Sequence, residues 1–173
     1  WWISGKGTYT GIRENNNAVT FSNTTLVTDG TFEMHVFTAD NVVYIAPKVC
    51  VAGGTLDMST LDVDTGLSPS RFWDKAFYQY ADSPAVVKLP DSFTDLGTQA
   101  FYKNTVIKEI EFGLGMTSWT GKEHFQDGSL TTAYVRGDER VEGRVVIPGG
   151  VTSISANAFN NCDNILEVIA TNA

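Results

Sequence analysis

The sequence is poor in the residues that build metal centres and nucleophilic active sites. Its 173 residues include two cysteines, Cys50 and Cys162, and two histidines, His35 and His124. Neither cysteine has a neighbour at a metal-ligand spacing, and the chain contains no Gly-x-Ser-x-Gly motif. Nucleophilic catalysis requires a Ser or Cys beside a base and an orienting acid. We therefore expect a non-enzymatic protein without a cofactor, in which both histidines have structural or surface roles.

Basic residues are also few, because 12 Lys and Arg stand against 20 Asp and Glu for a net charge of −8. Such a chain repels phosphate backbones, so nucleic acid is not an expected partner. No apolar run reaches the length of about 20 residues that a transmembrane helix needs. The sequence opens at Trp1 rather than Met. We expect a processed or partial form of a longer protein, and an upstream signal or anchor stays open.

Helix-forming residues dominate no long window, and residues 1–50 predict an antiparallel β region. Asp29-Gly30 is a strong hairpin signal between two apolar runs, and Pro47 is expected to end the last strand. This region is either a cap or a small domain. The predicted strands are residues 18–21, 25–28, 31–38 and 41–46.

The acidic run from Asp62 to Gly66 has a faint likeness to a calcium-binding loop. It lacks the third acid before the glycine and the Glu at the twelfth position. A solvated acidic turn is the better interpretation, and calcium binding stays open. A disulfide between Cys50 and Cys162 would have to join the N-terminal region to the end of the chain, and buried free thiols are the simpler alternative.

A repeat organises the rest of the chain. Phe77, Phe101 and Phe125 are evenly spaced along the sequence, and Phe159 follows after a longer interval. Ala precedes the Phe in three cases, whereas His124 takes that place before Phe125. A fixed period of about 20–50 residues indicates a solenoid, in which each repeat buries its apolar face only against its neighbours. The expected repeat core is Phe77, Leu96, Phe101, Phe125, Ile154 and Phe159.

Each repeat is predicted to place the Phe in a short turn segment and to continue into a strand, as in residues 106–112 and 130–135. The stretch Arg136–Arg144 is rich in charged residues and contains two glycines, and it predicts a solvated loop between two strands. Insertions in repeat arrays fall on one face, which is often the binding face.

Two segments resemble BspA-like (Treponema-type) leucine-rich repeats. Residues 145–162 read VVIPGGVTSISANAFNNC, and residues 89–101 read LPDSFTDLGTQAF. The family frame is an Ile-Pro, a Val-Thr-x-Ile, an Ala-Phe, a Cys and then an aliphatic strand, and Asn104 stands near the position of the Cys. The copies around Phe77 and Phe125 are poorer, and Thr120 and His124 depart from the frame.

The resemblance implies a mainly β fold: a short right-handed solenoid of about four coils with parallel strands over residues 51–173, preceded by the antiparallel region. It also implies an extracellular, cell-surface or virion location and a role in adhesion. The expected partner is a host protein or a glycan, with self-assembly or a homo-oligomer as a further option. The candidate binding surface comprises Trp1, Trp2, Tyr9, Arg136, Asp138, Glu139 and Arg140, since aromatic and Arg side chains dominate interface hot spots.

Two other functions stay open. The chain could be a structural subunit of a phage particle or an extracellular filament, with the solenoid used for assembly and with large apolar interfaces. A glycan hydrolase would need two convergent carboxylates in a cleft, and the scattered Asp and Glu residues do not reveal such a pair.

Overall fold

A computed structural model describes the backbone of residues 9–14, 17–28, 33–39, 42–49, 53–61, 68–119 and 121–171. Within the first four ranges only the side chain of Ile45 is described. The described residues form eleven strands in two sheets. One sheet has five strands in the order β1-β2-β3-β4-β6, and the other has six in the order β11-β10-β9-β8-β7-β5.

Four antiparallel strands form the N-terminal region. They are β1 (Tyr9–Glu14), β2 (Asn17–Thr28), β3 (Glu33–Ala39) and β4 (Val42–Val49). The two strands predicted over residues 18–21 and 25–28 are one strand, β2, which is interrupted by a register shift against β3 between Ser22 and Thr25.

Pro47 does not end the last antiparallel strand, because β4 continues to Val49. Pro47 pairs with Met34 where the register against β3 shifts between Glu33 and Met34. Proline within a sheet is tolerated at such bulges, where no ladder hydrogen bond requires its missing N–H.

The antiparallel region is joined to the repeats by a short parallel pairing. Strand β6 (Arg71–Phe72) pairs with β4 so that Phe72 lies beside Ile45. Both side chains are fully buried in the same apolar core as the repeat residues. This pairing therefore gives the two parts of the chain a continuous core.

The second sheet is parallel throughout and forms the strand side of the solenoid. Its strands are β5 (Thr55–Asp57), β7 (Val86–Lys88), β8 (Glu109–Phe112), β9 (Thr132–Val135), β10 (Arg144–Ile147) and β11 (Glu167–Ala170). The pairings align one apolar residue from each strand in a row that faces the core. The row consists of Leu56, Val87, Ile110, Ala133, Val145 and Val168.

A column of stacked phenylalanine rings runs through the core beside this row. The ring centroids of Phe77 and Phe101 are 5.6 Å apart, those of Phe101 and Phe125 5.5 Å, and those of Phe125 and Phe159 5.5 Å. The rings are within 9° of parallel. Pairs at this spacing are attractive beyond the area that they bury. We call these four residues the phenylalanine column.

Backbone hydrogen bonds between turn segments keep the column in register. Phe77 N–H donates to the carbonyl of Ala100 at 2.7 Å, and Phe101 N–H donates to the carbonyl of His124 at 3.1 Å. Residues two positions before or after a column Phe adopt a left-handed conformation, which costs about 1–2 kcal/mol for a non-glycine residue. Those described are Lys75, Gln79, Gln99, Lys103, Glu123, Asp127 and Asn161.

At the position that holds Cys in the family frame, the side chain donates a hydrogen bond to a backbone carbonyl of the preceding coil. The Asn104 amide donates to the carbonyl of Phe77 at 2.7 Å, and the Cys162 thiol donates to the carbonyl of Phe125 at 2.9 Å. The equivalent residue between them is Gly128, which has no side chain. A small pocket lined by Phe101, Asn104, Ile107, Phe125, Gly128 and Leu130 lies there.

Strand β10 lies within the parallel sheet without a ring of its own in the phenylalanine column. Strands β7, β8 and β9 begin at equal intervals along the chain, but β10 begins after only half such an interval. Phe125 precedes β9 and Phe159 precedes β11, and yet their rings are in contact. Since each strand spacing is about 4.8 Å, the solenoid is wider on its sheet side than on its turn side at this point.

The last coil is more exposed than the expected repeat core implied. Phe77, Leu96, Phe101 and Phe125 are buried, and Phe159 is half-buried. Ile154 differs from the expectation, because its side chain is 41% exposed. The physical reason is its place in the final described coil, which no further coil covers in the described chain.

The phenylalanine column makes truncation of a middle ring more costly than truncation of the end ring. We expect Phe101→Ala to lower the free energy of unfolding by about 3–5 kcal/mol, because it opens a cavity between two stacked rings. Phe159→Ala should cost less, because that ring is covered on one side. Urea denaturation of both variants measures the difference, and equal losses would contradict the stacked-coil core.

Candidate functional site

One face of the parallel sheet points away from the core and is here called the outer face. It carries a cluster of polar side chains. Side chains alternate between the two faces of a strand, so Lys88, Glu109, Glu111 and Tyr134 lie on the outer face. The pairings place Lys88 beside Glu111 and Glu111 beside Tyr134. Three adjacent strands therefore present these side chains as one cluster.

Tyr134 lies between the two carboxylates of β8. Its hydroxyl is 3.2 Å from Glu109 Oε1 and 3.3 Å from Glu111 Oε2, and it donates its one proton to this pair. Partial burial, together with the two negative charges, raises the pKa of Tyr134 to about 12. The phenol therefore remains a neutral hydrogen-bond donor throughout the physiological range.

Arg136 ties the end of β9 to the neighbouring coils. Its guanidinium lies 3.0 Å from Glu111 Oε1 and 2.6 Å from Asp91 Oδ1, and it also donates to the carbonyl of Leu89. The side chain is only 25% exposed. Charge-assisted bonds at such a site are stronger than those between neutral groups, so Arg136 fixes the path of the chain where it leaves the sheet.

Residues 136–143, here called the β9–β10 loop, return over the outer face. Arg140 reaches back to Glu109, with 2.6 Å between its terminal nitrogen and Oε2, and it also pairs with Glu142 at 2.9 Å. Asp138 and Glu139 are exposed at the tip of the loop. The loop therefore covers the part of the outer face around Glu109, and its charged side chains border the rest of that face.

The structure brings together only part of the candidate binding surface. Arg136 and Arg140 each bind a carboxylate of the outer face, and the exposed Asp138 and Glu139 lie between them in the chain. Tyr9 begins β1, opposite Phe21, on the other sheet. Trp1 and Trp2 lie outside the described residues.

Two further candidates also fall outside the described ranges. The acidic run 62–66 is one, and Cys50 is the other. Cys162 is a free, buried thiol whose pKa is raised by burial. Among the residues from 53 onward that are described, no group of three or more His, Cys, Asp and Glu could hold a metal ion.

Glu109 and Glu111 converge on the Tyr134 hydroxyl, and both carboxylates already have partners. Arg140 binds Glu109, Arg136 binds Glu111, and the Tyr134 hydroxyl contacts both. A glycosidase needs one carboxyl group to reach the glycosidic oxygen and another to reach the anomeric carbon or a water molecule. The arrangement holds charged and aromatic groups at fixed positions.

Sequence reasoning did not select Tyr134, Glu109 or Glu111. The signal was present, because Lys88, Glu111 and Tyr134 recur at equal intervals along the chain and each follows an apolar position of its strand. Alternation within a strand would have assigned all three to the same face.

His124 is buried in the core and away from the outer face. Its two ring nitrogens lie 2.9 Å from the carbonyl oxygen of Gly97 and 3.3 Å from that of Trp119. A neutral imidazole can donate to only one of these oxygens. Burial lowers the pKa of His124, against the opposing effects of the two carbonyls and of Asp95. The histidine is therefore a packed core residue that resists protonation.

The comparisons with known proteins agree with this geometry. The family description that matches is a BspA type leucine-rich repeat region (6 copies), over residues 70–141 and 142–173. The chain belongs to the BspA-type leucine-rich repeat family. Proteins with BspA-type repeats are generally surface-associated and serve in protein interactions. No curated protein matches the chain.

Two solved structures are similar to this BspA-type protein. A leucine-rich repeat protein from Bacteroides capillosus is 15% identical, with a TM-score of 0.57, and the match covers 84% of this chain and 97% of that one. At this identity the likeness shows the fold alone. A leucine-rich cell surface protein from Faecalibacterium prausnitzii is 16% identical, with a TM-score of 0.38, and the match covers 84% of this chain and 54% of that one.

The part of the BspA-type chain that the structure describes holds no helix with the length and apolar character of a membrane span.

The contacts of Arg136 and Arg140 predict that replacing them lowers the stability of the protein by different amounts. We expect Arg136→Ala to lower the free energy of unfolding by about 1.5–3 kcal/mol, because it breaks several charge-assisted bonds at a mostly buried site. Arg140→Ala removes the same charge from a more exposed position, so less than about 1 kcal/mol is expected. Urea denaturation compares the two variants, and a larger loss for Arg140→Ala would contradict the described loop.

His124 makes the fold sensitive to mild acid. Its pKa in the folded protein lies below the value of 6.5 for a free histidine, so the unfolded chain binds more protons below that pH. Stability should therefore fall as the pH drops through 6.5 and level off below the pKa of the folded state. His124→Ala, which restores the usual residue of the repeat, should flatten this dependence.

Urea denaturation between pH 7.5 and 5.5 gives the measurement, with the range set by the pKa of histidine at about 6.5. His35→Ala is the matched control, because it removes the other histidine. The interpretation fails if His35→Ala, and not His124→Ala, flattens the profile.

Proposed function

We propose that this chain is a non-enzymatic recognition module that binds a host protein through the outer face of its parallel sheet. It would act on a cell surface or a virion, in keeping with the surface-associated proteins that carry this repeat. The observation that supports the proposal is the cluster of Glu109, Glu111, Tyr134, Arg136 and Arg140 on the outer face.

The cluster suits protein recognition because its side chains are held before any partner arrives. Tyr134 and Arg136 are fixed by hydrogen bonds to neighbouring strands, so little side-chain entropy would be lost on binding. Tyr and Arg are also enriched in protein interfaces. The outer residues of β5 and β7, such as Thr55 and Val86, continue the surface beyond the β9–β10 loop.

A glycan ligand is the second candidate, and a different surface favours it. Tyr78 and Tyr102 project from consecutive turn segments with their ring centroids 5.4 Å apart, and the Lys103 ammonium lies 5.1 Å from the centre of the Tyr102 ring. Half-buried aromatic rings with polar neighbours can stack on sugars. This pair lies at the turns and not on the outer face.

The experiment uses two variants that add the same charged side chain at different places. Val86→Arg places a guanidinium on the outer face beside Glu109, whereas Val106→Arg places one in the turn before β8. Both valines are half-buried. The unmodified chain is first screened against arrays of purified secreted and matrix proteins and against a glycan array.

We expect a protein hit whose affinity falls by about tenfold or more with Val86→Arg, since a misplaced charge at an interface costs more than about 1.4 kcal/mol. Val106→Arg should bind like the unmodified chain. Equal binding by all three proteins would overturn the outer-face assignment. A glycan hit abolished by Tyr102→Ala, without any protein hit, would support the second candidate.

A further inference from the structure

The pocket beside Gly128 lies between the coils of Phe101 and Phe125. It has room for about one water molecule. The other residues that line it are buried, whereas Gly128 is half-buried, so access from solvent runs past that glycine. The position of the pocket matters because the neighbouring coils place a hydrogen-bonding side chain there.

The preceding coil shows what a side chain does at this position. The amide nitrogen of Asn104 donates to the carbonyl of Phe77 at 2.7 Å and to that of Tyr80 at 3.3 Å. Its amide oxygen accepts the N–H of Ile107 at 2.9 Å. One planar amide thus binds two carbonyls of the coil before it and one N–H of the chain that leads into β8.

The two equivalent carbonyls recur around Gly128. A Cβ atom added to this glycine would lie 3.7 Å from the carbonyl oxygen of Phe101 and 3.2 Å from that of Asn104. Among the described residues, the carbonyl of Phe101 accepts only from the N–H of Asn104, whereas that of Phe77 also accepts from a side chain. A carbonyl oxygen has two lone pairs, so both carbonyls beside Gly128 can accept a further hydrogen bond.

The equivalent N–H group also lies at the pocket. Leu130 holds the position of Ile107, because the residues that follow them, Thr131 and Lys108, make the same backbone hydrogen bond to the coil before. In the described part of the chain the N–H of Leu130 has no acceptor, although this residue is only 3% exposed. Buried backbone N–H groups that no protein group accepts are usually bound to ordered water.

We propose that the pocket is a binding site for one ordered water molecule, which replaces the side chain that Gly128 does not have. The water donates its two hydrogens to the carbonyls of Phe101 and Asn104, and its oxygen accepts the N–H of Leu130. An exchangeable molecule then joins the coils of Phe101 and Phe125 at this position, whereas side chains join the coils on either side. The inference goes beyond the proposed function and does not depend on it.

The polar groups at the pocket favour water over other small occupants. A metal cation binds carbonyl oxygens, but it cannot accept a hydrogen bond from the N–H of Leu130. An apolar atom fills the volume and leaves the carbonyls and the N–H without partners, which is unfavourable at a buried site. Water donates and accepts at once, and three hydrogen bonds are typical of a buried water molecule.

A high-resolution crystal structure of the whole chain locates the water directly. We expect one solvent peak within about 3.2 Å of the carbonyl oxygens of Phe101 and Asn104 and of the Leu130 nitrogen. A pocket without a solvent peak, or one filled by a rotated side chain, overturns the proposal. A peak that contacts only one of the three groups also overturns it, because such a water does not replace the amide.

Two substitutions at Gly128 separate the hydrogen bonds from the filled volume. A Cβ atom there would lie 2.8 Å from the carbonyl oxygen of Phe125, so Gly128→Asn and Gly128→Ala require the same small shift of the turn. Gly128→Asn supplies an amide that takes over the hydrogen bonds of the water, and the solvent peak should be absent from its crystal structure. Gly128→Ala is the matched control, because its methyl group fills part of the pocket and forms no hydrogen bond.

Urea denaturation compares the stability of the two variants. We expect the unfolding equilibrium constant of Gly128→Ala to exceed that of Gly128→Asn by about tenfold or more, because Ala leaves buried polar groups without partners. Equal stability of the two variants, or a less stable Gly128→Asn, would contradict the proposed hydrogen bonds. The crystal structure of the unmodified chain tests the water site whether or not either variant folds.

Discussion

The alignment of successive coils is the constraint on which the rest of this structure depends. No coil has an apolar face large enough to be buried by itself, so each uses its neighbours for that purpose. Stacked rings of the phenylalanine column and the turn-to-turn hydrogen bonds fix the alignment on one side. Parallel strand pairing fixes it on the other. Left-handed residues such as Lys75 and Gln79 are tolerated because the intercoil bonds that they permit offset their conformational cost.

The short connection between β9 and β10 departs from this regular pattern and creates the candidate site. A full coil would return through another turn segment, but the β9–β10 loop returns over the outer face with Arg140 bound to Glu109. The sheet gains strand β10, which has no ring of its own in the phenylalanine column. The loop also places fixed charged side chains over the neighbouring strands. A local insertion thus adds these charged side chains while Phe125 and Phe159 keep the coil-to-coil contact that stability requires.

The fold could be predicted from the sequence wherever residues recur at a regular interval. The spacing of Phe77, Phe101 and Phe125 predicts stacked coils because the same position of every coil meets the same neighbour. The partners of Arg136 and Arg140 were not predictable, since they depend on a connection that brings residues far apart in the sequence into contact. Ile154 follows the repeat pattern and yet is exposed, because periodicity identifies a core-facing position but does not show whether another coil covers it.

The two ends of the parallel sheet differ for a physical reason. Near β5, Leu56 is only 3% exposed, and the β4–β6 pairing brings Ile45 into the same core. Val168 holds the same core-facing position in β11 and is 47% exposed. Identical positions at opposite ends thus have different surroundings, although the alternation along both strands is the same. Burial of a core-facing position therefore depends on whether another coil lies against it, and not on the alternation along its own strand.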